Sequence, residues 1–334
     1  MTENILIEEF QKLNSILINS KTAVISSHIN PDADAIGSEL TLWNYLKNIG
    51  IETKVINISE SPYNLKFLDF DNCILTFSPY LHNDFILNAD LSFILDLNDL
   101  DRLSDMKEVI EKSKSKKILI DHHLYPKKFA DLSIIDFESS STGELIWRFL
   151  NFNNFKIDKF SAQALYAAIM TDTGSFRFSK TNGKVHRIIG DLIDAGAEAD
   201  FIYNQIYNRL PFKAIKLLGL AFSSLELFFE DKICIMTISN DDFLRTGAME
   251  DDIENFVEKT LSIEGVLAGV LLVEVKSRNE IRISFRSKSN INVRDIAYEF
   301  GGGGHLQAAG AILKNISLKT AKEKIIEKFK EKVF

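Results

Sequence analysis

Thr22 to Ile25 is a short apolar run, and Ser26 to Ser38 after it reads Ser-Ser-His-Ile-Asn-Pro-Asp-Ala-Asp-Ala-Ile-Gly-Ser. A run of that kind predicts a buried strand. Glu39 to Ile49 then places Leu40, Trp43, Leu46 and Ile49 on one helical face, with Gly50 as the stop signal, which predicts a helix. A strand that feeds straight into a helix is half of a crossover, so this stretch constrains the chain towards a parallel sheet. The turn crowds His28, Asp32 and Asp34 at the carboxyl end of a strand, where open α/β sheets place their ligand sites. Pro31 stiffens the turn, and Gly37 is expected to let the backbone approach a ligand. Asp32 and Asp34 would also suit capping and turn positions. The imidazole of His28 beside them favours a hard-metal site.

The pattern repeats along the chain. Residues 4–18 read as an amphipathic covering helix, 53–58 as a second strand and 73–77 as a weaker one. Leu91 to Leu97 is a near-continuous apolar run ending at Asp96, a helix is expected at 106–112, and Lys117 to Ile120 runs into Asp121-His122-His123. A strand at 132–137 is followed by helices at 142–152, 160–170, a segment capped by Thr181 and running to Ile193, and 199–210. The alternation predicts an α/β fold whose N-terminal part is a doubly wound, mostly parallel sheet. Pro211 suits the first turn of a helix over 212–222 that links two domains. Strands resume at 225–229, 232–238, 266–275 and 280–287, with a helix near 253–261, so a smaller α/β C-terminal domain is expected. The boundaries read 1–210, 211–225 for the linker and 226–334, with a cleft between the domains.

Composition sets bounds. The chain of 334 residues carries a net charge of −8, which disfavours a non-specific nucleic-acid coat. Cys73 and Cys234 lie in apolar runs and read as buried thiols. No secretion signal or membrane span is read, so a cytoplasmic location is expected. His28, Asp32, Asp34, Asp96, Asp121, His122, His123 and Asp172 all fall at expected element ends, which a parallel sheet brings to one edge. Carboxylates and imidazoles without thiolate suit Mn²⁺ or Mg²⁺ better than structural Zn²⁺. So many acids together need cations, and two ions with a shared carboxylate would serve phosphoryl hydrolysis.

In the C-terminal part, strand alternation over 280–288 puts Arg282, Ser284, Arg286 and Lys288 on one face and Ile281, Ile283 and Phe285 on the other. The glycines 301–304 offer unobstructed backbone N–H groups, an anion nest, before His305. Phe67, Phe70, Phe149, Phe152 and Phe155 read as core. Phe176 and Phe178 flank the Gly174 turn, where one of them could line the cleft, with packing favoured for both. His82 and His186 read as surface or capping residues.

The ordered set HxxPDxDxxGS, Asp96, DHH at 121–123, TDTGSF at 171–176 and GGGGH with Ala308-Ala309-Gly310 resembles the DHH phosphoesterase superfamily with its DHHA1 domain. The likeness spans essentially the whole chain, and within the superfamily it is to the compact NrnA-type oligoribonucleases and pAp phosphatases. The resemblance implies one metal on His28, Asp32 and Asp96 and a second on Asp34, Asp96, His122 and Asp172, with Asp96 bridging. It implies His123 beside the scissile phosphate, Asp121 in support of the ligands, and Arg102 as a substrate contact. Arg286, Ser287, Gly303, Gly304 and His305 would bind a terminal phosphate or nucleotide. The implied cofactors are two divalent cations, Mn²⁺ first, with Mg²⁺ or Co²⁺ as alternatives. The implied substrates are pAp and short RNA oligonucleotides, with pApA or cyclic dinucleotides as the alternative and a homodimer as the expected assembly. A nucleotide or RNA binding protein without turnover is the reading from another class. The intact ligand set argues against it.

Overall fold

The computed structural model describes residues 3–333 except Phe70, Glu254, Ser289, Asn290 and His305. The chain divides into two compact units, Met1–Arg209 and Leu210–Phe334.

The first unit runs α1 (Glu3–Leu17), β1 (Thr22–Ser26), α2 (Ala33–Asn48), β2 (Glu52–Asn57), β3 (Ile74–Thr76), α3 (Pro79–Asn88), β4 (Leu91–Leu95), α4 (Lys107–Lys112), β5 (Lys116–Asp121), β6 (Leu132–Ile135), α5 (Thr142–Phe152), α6 (Lys159–Asp172), α7 (Gly183–Asp194) and α8 (Ala199–Tyr207). Its six strands stand in the order β3-β2-β1-β4-β5-β6, and every pairing is parallel. Alternate residues of the buried strands serve opposite faces. Ala23, Ile25, Phe93, Leu95, Ile118 and Ile120 pack with α1, α2, α5 and α6. Val24, Ile56, Ile94 and Leu119 pack with Ile86 of α3 and Val109 and Ile110 of α4. The doubly wound parallel sheet expected from the sequence is therefore present. The strand order reverses between β1 and β4, and a crevice opens at such a switch point beyond the carboxyl ends of the strands.

One local expectation is corrected. The helix after β1 begins at Ala33, so Asp34, Gly37 and Ser38 lie inside it rather than in a turn. The cause is Asp32, whose Oδ1 accepts the N–H groups of Asp34 (3.0 Å) and Ala35 (3.1 Å) as an N-cap. Gly37 admits no ligand. A Cβ there would strike the carbonyl oxygen of Ala164, so the glycine exists for the close packing of α2 on α6.

The second unit runs α9 (Phe212–Ser223), β7 (Glu226–Phe228), β8 (Ile233–Ile238), α10 (Asn240–Thr246), β9 (Ala268–Val275), β10 (Glu280–Ser287), α11 (Val293–Glu299), β11 (Gly303–Gly304), β12 (Ala308–Lys314) and α12 (Leu318–Lys332). Its sheet order is β11-β12-β10-β9-β8-β7, antiparallel apart from the β8–β9 pair. Leu217 and Leu218 of α9 join Met236, Ile238 and Leu271 in the core of this unit. The helix expected at 253–261 is replaced by 3₁₀ turns at Glu250–Ile253 and Val257–Ser262, in which N–H groups reach back three residues, as Lys259 does to Phe256 at 3.1 Å. Ile281, Ile283 and Phe285 are buried while Arg282 is exposed, as alternation requires.

Candidate metal centre

Each side chain of the centre is delivered by the end of an element. His28 follows β1, Asp32 caps α2 and Asp34 sits in its first turn. Asp96 follows β4, Asp121 ends β5 with His122 and His123 behind it, and Asp172 ends α6. Asp96 adopts φ 57°, the left-handed region that non-glycine residues rarely occupy. Its N–H donates to the carbonyl of Ile120 at 3.1 Å, which ties the end of β4 to β5.

Among the described residues, ligand atoms gather in three overlapping groups, each within 4.8 Å: His28, Asp32 and Asp96; Asp34, His122 and Asp172; Asp96, His122 and His123. The Nδ1 of His28 donates to the carbonyl of Ile29 at 2.9 Å. That contact orients the ring and turns Nε2 to Asp96 at 3.5 Å and Asp32 at 4.0 Å, where it carries the lone pair when the ring is neutral. The Nε2 of His122 lies 3.2 Å from Asp172, 3.7 Å from Asp96 and 3.8 Å from Asp34. Burial pushes the His122 imidazole down to about 4, so it is neutral near pH 7.

The acids feel one another. Burial first, then the charges of Asp96, Asp172 and Asp32, raise the Asp34 carboxyl well above the usual carboxylate range. Burial works in the same sense on Asp96, yet its bond to His28 and the charge of His123 outweigh it and hold the carboxyl below that range. Donor atoms that are all carboxylate oxygen or imidazole nitrogen, packed so that each acid opposes ionisation of the next, fit hard or intermediate divalent cations. His123 is of another kind. Its Nδ1 meets Asp121 Oδ1 at 2.7 Å, and that bond with the charge of Asp96 overcomes burial and raises the imidazole to about 9. Oδ1 of Asp121 also accepts the N–H groups of His122 (2.9 Å) and His123 (3.2 Å).

Several contributors escaped the sequence reading. Thr142 and Gly143, at the start of α5, donate their N–H groups to Asp34 at 2.7 and 2.8 Å, and the Thr142 hydroxyl donates to Asp96 at 2.9 Å. Their signal was Ser141-Thr142-Gly143-Glu144, an S-x-x-E helix start. Lys180 reaches the Ser139 carbonyl (3.1 Å) and His122 Nδ1 (3.4 Å). Arg102, already named from the sequence, lies near enough to oppose protonation of both His28 and His123, and its carbonyl accepts the Ile29 N–H at 2.8 Å.

The residues expected to hold phosphate in the second unit are placed as follows. Arg286 has its Nε 3.7 Å from Glu258. The Ser287 hydroxyl is buried and donates to the Ile291 carbonyl at 2.6 Å. Arg282 is paired with Glu250 at 3.0 Å, so the basic face of β10 is partly neutralised. Gly303 and Gly304 pair with Gly310 and Ala309 of β12, and a Cβ at Gly304 would strike the carbonyl of Ala308. Gly304 thus has a packing reason of its own. His305 and Phe70 lie outside the described residues. His186 is exposed against Phe176, and Nδ1 of the buried His82 accepts the Ser78 N–H at 3.0 Å in the capping role. Phe149 is buried, with Phe67, Phe152 and Phe155 packed on the same core.

Residues 22–169 match the DHH family, N-terminal domain, and residues 230–333 match the DHHA1 domain. The bifunctional oligoribonuclease and PAP phosphatase NrnA of Thermus thermophilus is 28% identical, over 92% of this chain and 89% of its own. The protein of the same name from Bacillus subtilis is 27% identical, over 87% and 88%. Among solved structures, an exopolyphosphatase-related protein from Bacteroides fragilis is 31% identical with a TM-score of 0.92, covering 97% of each chain. An exonuclease RecJ bound to manganese, 13% identical with a TM-score of 0.52 over 98% of this chain and 95% of its own, shares the fold. A switch-point centre of imidazoles and acids in a chain with these relatives is that of a metal-dependent hydrolase. The chain belongs to the DHH family, with a DHHA1 domain following the DHH domain.

Proposed function

We propose that the protein is a two-cation phosphoesterase that removes the 3′-phosphate of pAp and degrades oligoribonucleotides a few residues long to mononucleotides. The observation that carries this reading is the place of Asp96, with Oδ2 3.5 Å from His28 and Oδ1 3.7 Å from His122, between one ligand group and the next. On this reading His28, Asp32 and Asp96 hold one cation, and Asp34, Asp96, His122 and Asp172 hold the other, with Mn²⁺ preferred to Mg²⁺ or Co²⁺. Support for the substrates comes from relatives named oligoribonuclease and PAP phosphatase across most of the chain.

When bound, the cations supply positive charge to the phosphoryl oxygens and lower the pKa of water. The protein supplies orientation and protons. His123, kept protonated by Asp121, is placed to give a proton or hydrogen bond to the leaving oxygen. Thr142 and Gly143 hold the acids from the start of α5, where the helix dipole favours negative charge. Arg102 contributes positive charge beside the two imidazoles. In the second unit we assign a substrate phosphate to Arg286 and to the backbone of Gly303 and Gly304.

The test is release of phosphate from pAp and of mononucleotides from short RNA, with Mn²⁺ and with chelator, beside Asp96→Asn. Metal-dependent release that the variant lacks is the expected result. A folded protein that binds nucleotide and releases nothing from either would leave only a binding role.

A further inference from the structure

The segment after Asp172 doubles back on itself. Gly174, Ser175 and Phe176 all have positive φ (57°, 57° and 67°), and two of them bear side chains that resist this conformation. Bonds from Ser175 N to Met170 O (2.8 Å) and from Arg177 N and Phe178 N to Thr173 O (both 3.0 Å) hold the coil shut. The two phenylalanines then part company. Phe176 turns into the core, 6.0 Å from Tyr166 and 5.8 Å from His186 between ring centroids. Phe178 stays 55% exposed. The tip of its ring occupies the space that a side chain at Gly174 would fill, with Cζ, Cε1 and Cε2 at 2.5, 2.6 and 2.8 Å from where a Cβ would stand.

Both flanks of Phe178 touch one imidazole. Asp172 lies 3.2 Å from His122 Nε2, and Lys180 lies 3.4 Å from His122 Nδ1. The ring is therefore carried on a short arc pinned at each end to the acid–imidazole centre, laid over a residue without a side chain, with more than half its surface open. Phe176 is taken up in packing, whereas Phe178 packs only its ring tip over Gly174 and keeps more than half its surface in water. We propose that Phe178 is the nucleobase platform of this centre, stacking on the base of the nucleotide whose phosphate the centre holds. The inference rests on the phosphoesterase reading for its substrate class. A stack selects nucleotides over other phosphate esters with little preference among bases, since every base has a π face.

The test is calorimetric binding of AMP and of ribose 5-phosphate, the same phosphate without a base, in the presence of Mn²⁺. Wild type is compared with Phe178→Leu, which keeps an apolar contact to Gly174 without a π face, and with Phe178→Trp. Phe178→Leu is expected to weaken AMP about 5- to 150-fold and to leave ribose 5-phosphate unchanged, and Phe178→Trp is expected to retain AMP. Equal effects on both ligands, no effect on AMP, or AMP binding lost in the tryptophan variant would overturn the assignment. Turnover of pAp by wild type tests the phosphoesterase reading separately. Base-dependent binding through Phe178 without turnover would sink that reading and keep this one, and turnover with base-blind binding would do the reverse.

Discussion

The N–H of Thr142 donates to Oδ2 of Asp34 at 2.7 Å, and the hydroxyl of the same threonine donates to Oδ1 of Asp96 at 2.9 Å. A single residue at the start of α5 thus orients acids that arrive from α2 and from the end of β4. Thr142→Val keeps the N–H and the branched shape and removes only the hydroxyl. Cation affinity is expected to fall roughly 10- to 100-fold, the usual cost of losing an outer partner of a ligand, with little change in melting temperature. A Mn²⁺ titration that matches wild type would show that the hydroxyl does not orient Asp96.

The contact between His123 and Asp121 makes a prediction about pH. With the imidazole raised to about 9, its protonated form prevails at neutral pH and is lost as pH climbs through that value. If that proton serves the leaving oxygen, the rate declines on the alkaline side of the profile. Asp121→Asn removes the anion that holds the proton, so the decline is expected at lower pH, and the variant loses more rate at pH 8 than at pH 6. A profile merely scaled down, with its alkaline limb unmoved, would speak against the role given to His123.

Behind the centre lies a buried acid that the mechanism does not use. Glu39 Oε2 accepts from Asn57 at 2.8 Å, and Asn57 in turn accepts the Ser27 N–H at 3.2 Å, beside His28. Burial raises the Glu39 carboxyl from 4.5 to about 7. The folded state therefore binds the proton more tightly than the unfolded chain. Stability from this group is full below pH 4.5, falls as pH rises towards 7, and is level above. Glu39→Gln, which can keep the Asn57 bond, should gain on wild type over that window by on the order of 3 kcal/mol, at about 1.4 kcal/mol per pH unit. Urea unfolding with chelator at pH 5 and pH 8 measures it. The same difference at both pH values would mean that Glu39 is ionised in the fold.

What the sequence disclosed depended on period and on chemistry together. Buried strands such as Leu91 to Leu95 stand out as apolar runs, and the acids and imidazoles behind them mark their ends, so both the parallel sheet and the candidate ligands were legible. The start of α2 was not, because an aspartate serves equally in a turn or as a cap, and only its bonds to Asp34 and Ala35 decide. Gly37 was misread for the same kind of reason, since its partner Ala164 is remote in sequence. The helices Asn240–Thr246 and Val293–Glu299 span seven residues each, too few for a 3.6-residue period to emerge. The S-x-x-E pattern at Ser141 marks only a helix start, since the partners of Thr142, Asp34 and Asp96, are remote in sequence.

On the proposed mechanism two cations share Asp96. Counting bound Mn²⁺ per chain by equilibrium titration and elemental analysis tests it most directly. Wild type is compared with Asp32→Ser, which keeps a capping oxygen for α2, with Asp172→Ala and with Asp96→Ala. Two tightly held ions are expected in wild type, one in each of the first two variants and none in Asp96→Ala. Two ions retained by Asp96→Ala, or a single ion in wild type, would contradict it.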